Sequence, residues 1–266
     1  MGGAAVTHPN PYVDYARMDD LHDLQEPATE SPFELQFILL SQVKELLFRM
    51  VQLEVDQARA RVREDRPEAA CRALSRAARH QRTLVGCWES MNAMPVDEFL
   101  GFRDELGEAS GTQSPVYRLL EFTLGNRGAA MVRRSDFIRF PRLRAELERP
   151  SLYDEVLRHL YRIGLPVPEH VLSRDVTVPY EPDRAVEDVW ATAYRSPDKY
   201  RSAYELAEHL LEVAYQFSRW RATHLLVVER MLGGKRGSGG TDGAAWLRKI
   251  NEHRFFAELW TMRSAL

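Results

Sequence analysis

Cysteine is nearly missing from this chain. Its 266 residues include two, Cys71 and Cys87, so no disulfide framework staples it, and a reducing cytoplasm is the natural compartment. A charge excess is missing as well: 36 Lys+Arg against 39 Asp+Glu leave a formal net charge of −3. That balance argues against nucleic acid as a partner, because neutralising phosphates draws on a basic excess or patch. No run approaches the roughly 18 apolar residues that span a bilayer. Met1–Asp14 has no charged start followed by an apolar stretch, so neither a membrane partner nor a secretory leader is expected. Strict apolar/polar alternation is absent at any length, which removes the half-buried strand, and no internal repeat occurs. What remains is ordinary globular composition, 44% hydrophobic and 28% charged, in a chain long enough to bury a ligand.

The patterns that are present are helical. Residues 1–31 are polar and broken by Pro9, Pro11 and Pro27; they read as an extended arm with a short helix around Tyr15–Leu24. Ser31-Pro32 then supplies an N-cap and a first-turn proline. Behind it Phe33, Phe37, Leu40, Lys44, Leu47, Val51 and Val55 recur at three- and four-residue spacing to about Arg63, with Lys44 the charged member of an apolar set. A second helix over Pro67–Met91 carries Ala70, Leu74, Ala77, Leu84 and Trp88 in the same rhythm. Shorter helices are predicted at Pro115–Leu124, Ser151–Ile163 and Arg184–Tyr194, with Gly164–Asp183 as a proline-rich connecting loop. The longest pattern is Tyr204–Leu232, where Leu206, Leu210, Val213, Phe217, Trp220, His224, Val228 and Met231 line one face until Gly233-Gly234 stop it. The expected fold is all-α: long helices bundled in one domain over 32–266, with 1–31 as an arm.

Three features could carry chemistry. His224 lies in the middle of an apolar stripe, where an imidazole needs a partner. It is either a buried histidine bonded to a backbone carbonyl or an axial ligand to haem iron. No second His, Cys or carboxylate follows at i+3 or i+4 toward the core, which fits zinc or di-iron poorly. The run Gly237-Ser238-Gly239-Gly240-Thr241-Asp242-Gly243 is either a surface linker or a loop that folds over an anionic ligand. Gly101-Phe102-Arg103-Asp104, entering Ser110-Gly111-Thr112-Gln113-Ser114, places an arginine that could clamp a carboxylate or pair structurally with an aspartate.

Taken together, several stretches resemble the tryptophan 2,3-dioxygenase family over almost the whole chain and in the same order. They are Phe37–Leu47, Gly101–Asp104, Ala109–Ser114, Gly237–Gly243, Tyr12-x-x-Tyr15, Trp220-Arg221-x-x-His224 and Phe256-x-Glu258-Leu259-Trp260. The resemblance implies an all-α enzyme with one haem b per subunit, acting on a tryptophan-type amino acid and O2. It also implies a homo-oligomer, most simply a tetramer of two dimers, in which each arm reaches a neighbour's site. Carried over position by position, it makes His224 the proximal haem ligand and Arg103 the partner of the substrate carboxylate. Ser238 becomes the loop hydroxyl beside that carboxylate, and Phe37 and Phe99 wall the indole pocket. Ser110 and Gly111 form the turn over the distal haem face, and Tyr12 and Tyr15 are the aromatic pair lent to the neighbour.

One position departs from the family pattern. Where these dioxygenases carry a distal histidine, one turn after Phe37, this chain has Ser41. Residues i and i+4 share a helix face, so Ser41 faces the same pocket. A hydroxyl is shorter than an imidazole and is no base near neutral pH. A substrate held more loosely could leave after one oxygen transfer, giving a 2-oxindole, as in the tryptophan monooxygenase branch of maremycin-type biosynthesis; an external reductant would then be needed. The expectation is therefore one-oxygen insertion at indole C2. Its rival is ordinary dioxygenation to N-formylkynurenine, since related indoleamine dioxygenases have a distal serine. A haem-binding sensor is the reading from another class, and it has no use for a carboxylate clamp.

Overall fold

The computed structural model describes residues 10–127, 134–233, 235 and 243–266, and every regular element among them is helical. Two short helices, α1 (Pro11–Ala16) and α2 (Met18–His22), precede the long α3 (Pro32–Arg63) and α4 (Pro67–Asn92). After α5 (Val96–Phe102) and a 3-10 turn at Arg103–Leu106 come α6 (Pro115–Leu124), α7 (Arg134–Arg139), α8 (Pro141–Leu147) and α9 (Leu152–Arg162). The chain closes with α10 (Glu169–Leu172), α11 (Arg184–Arg195), the long α12 (Arg201–Leu232), α13 (Gly243–Glu252) and α14 (Ala257–Thr261).

The caps explain where the helices begin. Ser31 Oγ accepts the Phe33 N–H at 3.3 Å, and Ser151 with Asp154 forms a reciprocal capping box at the start of α9. In the arm, the single helix expected around Tyr15–Leu24 is two. Asn10 Oδ1 accepts the N–H groups of Tyr12 and Val13, which starts α1 at Pro11, and Arg17 at φ 52° then breaks the run. The stretch expected to be all loop, Gly164–Asp183, contains the single turn α10, entered from Pro168 at φ −61°.

The core sits between the long helices. Val51, Val55, Ala58 and Val62 of α3 meet Ala70, Leu74, Ala77 and Ala78 of α4, and α4 in turn packs on Ala203, Ala207, Leu210 and Val213 of α12. The alanines on α4 and α12 let those two helices approach closely. On α12 the buried residue after His224 is Val227 rather than Val228; over a long helix, a 3.6-residue turn drifts against a fixed seven-residue pattern.

A buried polar cluster ties α6 to α12. Glu121 accepts from Arg221 Nη2 at 2.5 Å, from the Tyr117 hydroxyl at 3.2 Å, from Asn126 Nδ2 at 3.1 Å and from Arg118. Arg221 also lies over the rings of Phe217 and Phe255, at 4.7 and 5.4 Å. His253 sits against Arg221, and burial, reinforced by the Arg221 and Arg254 charges, lowers its pKa to about 4.

Two outcomes follow. Glu121→Ala leaves Arg221 buried without its counter-charge and should cost about 3–5 kcal/mol in chemical denaturation. His253 takes up a proton on unfolding at pH values between about 6.5 and 4, so stability is lost as pH falls through that window. At pH 5 this one group contributes a loss of about 2 kcal/mol relative to pH 7, and His253→Gln should show a correspondingly smaller difference between denaturation midpoints at the two pH values.

Candidate functional site

His224 sits on α12, three residues beyond Arg221, so the buried Glu121–Arg221 pair fixes the helix turn that presents it. Its ring stacks on Trp88 of α4 at a centroid distance of 4.2 Å and an interplanar angle of 12°, and lies 5.6 Å from Trp220. Burial first, and then the positive charge of Lys44, push its pKa down to about 3. The imidazole is therefore neutral across the physiological range, with a lone pair to offer. It makes no hydrogen bond among the described residues, and it keeps some accessible surface despite its depth. The residue is thus not wholly sealed off by its neighbours.

Lys44 of α3 approaches from another side, its Nζ 4.3 Å from the Trp88 ring centroid. Burial lowers its pKa to about 8. Among the described residues no carboxylate pairs with it, and the Trp88 Nε1 beside it is buried with no hydrogen-bond partner.

The second part of the site is aromatic. Phe37 of α3 lies 6.1 Å from Phe99 and 5.7 Å from Phe102, and those two rings of α5 meet edge to face at 5.5 Å. Ser41, one turn after Phe37, is partly buried and has no hydrogen-bond partner among the described residues. Phe37, Ser41 and Lys44 share one face of α3 and link the two parts over about 10 Å of helix axis, at 1.5 Å per residue. Arg103 follows directly on Phe102 at the head of the 3-10 turn, partly buried.

The Ser110-Gly111 turn is anchored from within and from α3. Gln113 Oε1 accepts the Ser110 N–H at 3.2 Å, while the Gln113 N–H donates to the Ser110 carbonyl at 2.9 Å. Ser114 Oγ donates to Glu45 on α3 at 2.7 Å and accepts the Tyr117 N–H at 3.0 Å, capping α6. A Cβ on Gly111 would meet no protein atom within 4 Å, so packing inside the chain does not demand a glycine there.

The structure thus brings together Phe37 and Phe99, and places Ser41 one turn on from Phe37 along the same face of α3. Tyr12 and Tyr15 it leaves apart, 69% and 92% exposed on α1 with no ring contact among the described residues. Ser238 lies outside the described residues. Sequence reasoning gave no site role to Phe102, Trp88 or Lys44. Phe102 stood inside a quoted motif, and the other two stood in helical rhythms, where an aromatic reads as core and a lysine as a solvated edge. A cavity of about 350 Å³ lies elsewhere, lined by Tyr153, Arg174, Tyr180, Phe256 and Trp260. Its Arg174 is already bonded to Asp154, and its tyrosines to Glu258.

Several observations fit a haem. One neutral imidazole stays partly accessible. No cluster of three His, Cys, Asp or Glu competes for a bare metal ion among the described residues. Aromatic rings stand nearby, and a buried N–H and an ammonium have no acceptor among the described residues.

Comparison with known proteins gives the same family throughout. The family model for tryptophan 2,3-dioxygenase matches residues 3–139 and 188–266. The tryptophan 2,3-dioxygenase of Exiguobacterium sibiricum is 38% identical over 257 residues, covering 96% of this chain and 92% of that protein. Those of Bordetella pertussis and Bradyrhizobium diazoefficiens are 39% and 40% identical, each over 96% of this chain and over 90% and 92% of their own lengths.

The anchoring of the Ser110-Gly111 turn can be measured. Ser114→Ala removes both the bond to Glu45 and the cap of α6, and should lower stability by about 1–2 kcal/mol. Amide exchange should quicken at Tyr117 and around the turn, with α12 left as protected as before.

Proposed function

Because the chain belongs to the tryptophan 2,3-dioxygenase family, we propose that it is a haem-dependent oxygenase of tryptophan that adds both atoms of O2 across the indole 2,3-bond to give N-formylkynurenine. The observation that carries the reading is the neutral imidazole of His224, partly accessible and without a hydrogen bond among the described residues, in a chain aligned with these enzymes over nearly its whole length. Haem, held by His224 as its protein ligand, supplies the iron at which O2 is activated. The chain's own residues then bind and orient the substrate. Arg103 pairs with its carboxylate, assisted by Ser238. Phe37 and Phe99, with Phe102 behind them, hold the indole by apolar contact. The Ser110-Gly111 turn covers the distal haem face, where the bare Gly111 leaves room.

A second reading is favoured by one residue. Ser41 offers no base and a short side chain where the family pattern places an imidazole, and its hydroxyl has no partner among the described residues that would hold it in one orientation. One-oxygen insertion at indole C2 then gives a 2-oxindole; the second oxygen leaves as water, taking two electrons from an external reductant and two protons. Tryptophan or its β-methyl derivative would serve as substrate.

The site is completed by copies of the same chain. Tyr12 and Tyr15 stand exposed on the arm. Leu35, Leu39, Val43, Leu46, Met50 and Leu53 form an apolar stripe on α3 that is 38–55% exposed and faces away from the pocket. A continuous apolar stripe of that kind is normally covered. The reading is a homo-oligomer, a tetramer of two dimers, in which the 1–31 arm reaches a neighbouring site and 32–266 forms the catalytic domain.

Mass spectrometry under labelled O2 tests the reaction. Two labelled atoms in the product without added reductant are expected; one labelled atom and dependence on ascorbate would establish the second reading instead. No oxygenated product from tryptophan or β-methyltryptophan would overturn both, as would full haem content in His224→Ala. Arg103→Ala should lower kcat/KM by at least about tenfold, the scale of a charge-assisted contact, and tryptamine should be a poor substrate for the unaltered enzyme.

A further inference from the structure

Lys44 is the group in the site for which the proposed reaction has no use. It stands on a helix face otherwise made of Phe33, Phe37, Leu40 and Leu47, and its Nζ lies 4.3 Å from the Trp88 ring centroid, beside the His224 imidazole that stacks on the same indole. Among the described residues no carboxylate forms an ion pair with Lys44. Glu45, its neighbour in the chain, is turned to Ser114, whose hydroxyl donates to it at 2.7 Å. Glu121 is bound by Arg118 and Arg221. The adjacent Cys87 is a buried thiol whose pKa burial raises, so it is neutral. An ammonium taken out of water without a counter-charge is costly, and the attraction of one indole face returns on the order of 2 kcal/mol. The Trp88 N–H is a second buried donor with no acceptor. Two donors of this kind, next to the imidazole and with no anion among the described residues to meet them, suit an anionic group from outside the chain.

We propose that Lys44 is the counter-cation of a haem propionate, seated against Trp88 beside His224. The proposal rests on the reading that His224 holds haem. A carboxylate brought by the macrocycle supplies the charge the chain withholds, and Lys44 thereby fixes the rotation of the ring about the His224 bond. Lys44 is a positioning residue, since it anchors the rim of the cofactor and does not touch the substrate.

The test compares protein loaded with protohaem and protein loaded with its dimethyl ester, which has the same ring and no carboxylate charge. Release is followed by transfer to excess apomyoglobin. In the unaltered protein the ester should leave at least about tenfold faster, the equivalent of about 1.4 kcal/mol. Lys44→Met should bring the ratio near one by speeding release of protohaem alone, and Lys44→Arg should restore it. Lys44→Gln, which keeps length and polarity without charge, gives the same reading if the methionine variant fails to fold. An unchanged ratio in the uncharged variants, or equal release of both forms from the unaltered protein, overturns the proposal while leaving the cofactor reading intact. Failure of the unaltered protein to hold protohaem overturns the cofactor reading itself, and this inference with it.

Discussion

The buried pair between Glu121 and Arg221 is the constraint from which the site takes its place. Both side chains are almost wholly buried, 3% and 2% exposed, so each charge has lost its hydration and is held by the other and by Tyr117, Asn126 and Arg118. Such a pair contributes less to net stability than to uniqueness: any sliding of α12 against α6 would strand a charge in the core. His224 lies three residues further along that same helix. The register of α12, and with it the direction in which the imidazole points, is set by electrostatics as well as by the shape of the apolar stripe.

On the opposite side, α3 brings three different chemistries to one face. Phe37 gives an apolar wall, Ser41 a small unbonded hydroxyl, and Lys44 a charge. Along that face the packing loosens toward the start of α3: Leu47, Val51 and Val55 are buried in the core, while Phe37 and Leu40 are only partly covered. A helix that is core at one end and pocket wall at the other gives the pocket a rigid backing, since the buried end holds the axis that the open end extends.

Much of this was legible in the sequence where the signals were long and redundant. The caps Ser31 and Ser151 and the prolines at 32, 67 and 115 mark helix starts that the structure reproduces. The short α5, α7 and α8 span six or seven residues each, too few turns for periodicity to show. Within the site, His224 and Arg103 stood out because a polar residue broke an apolar or aromatic context. Lys44 broke its context in the same way and was passed over, because a lysine on an amphipathic helix ordinarily reaches water along its stem. Only the packing of Trp88 and His224 around it shows that its ammonium stays inside. Tyr12 and Tyr15 gain no packing role from the structure, since both stand exposed on α1.

The stripe from Leu35 to Leu53 and the row of Phe37, Ser41 and Lys44 are opposite sides of one rod, interleaved at intervals of one or two residues. With the outer stripe proposed as an interface between copies and the inner row as a substrate wall, selection on association and selection on what is accommodated would act on neighbouring codons of a single helix. A substitution that shifts the backbone to reshape the outer side also moves the inner side, so under that proposal quaternary change and substrate change would be inherited together.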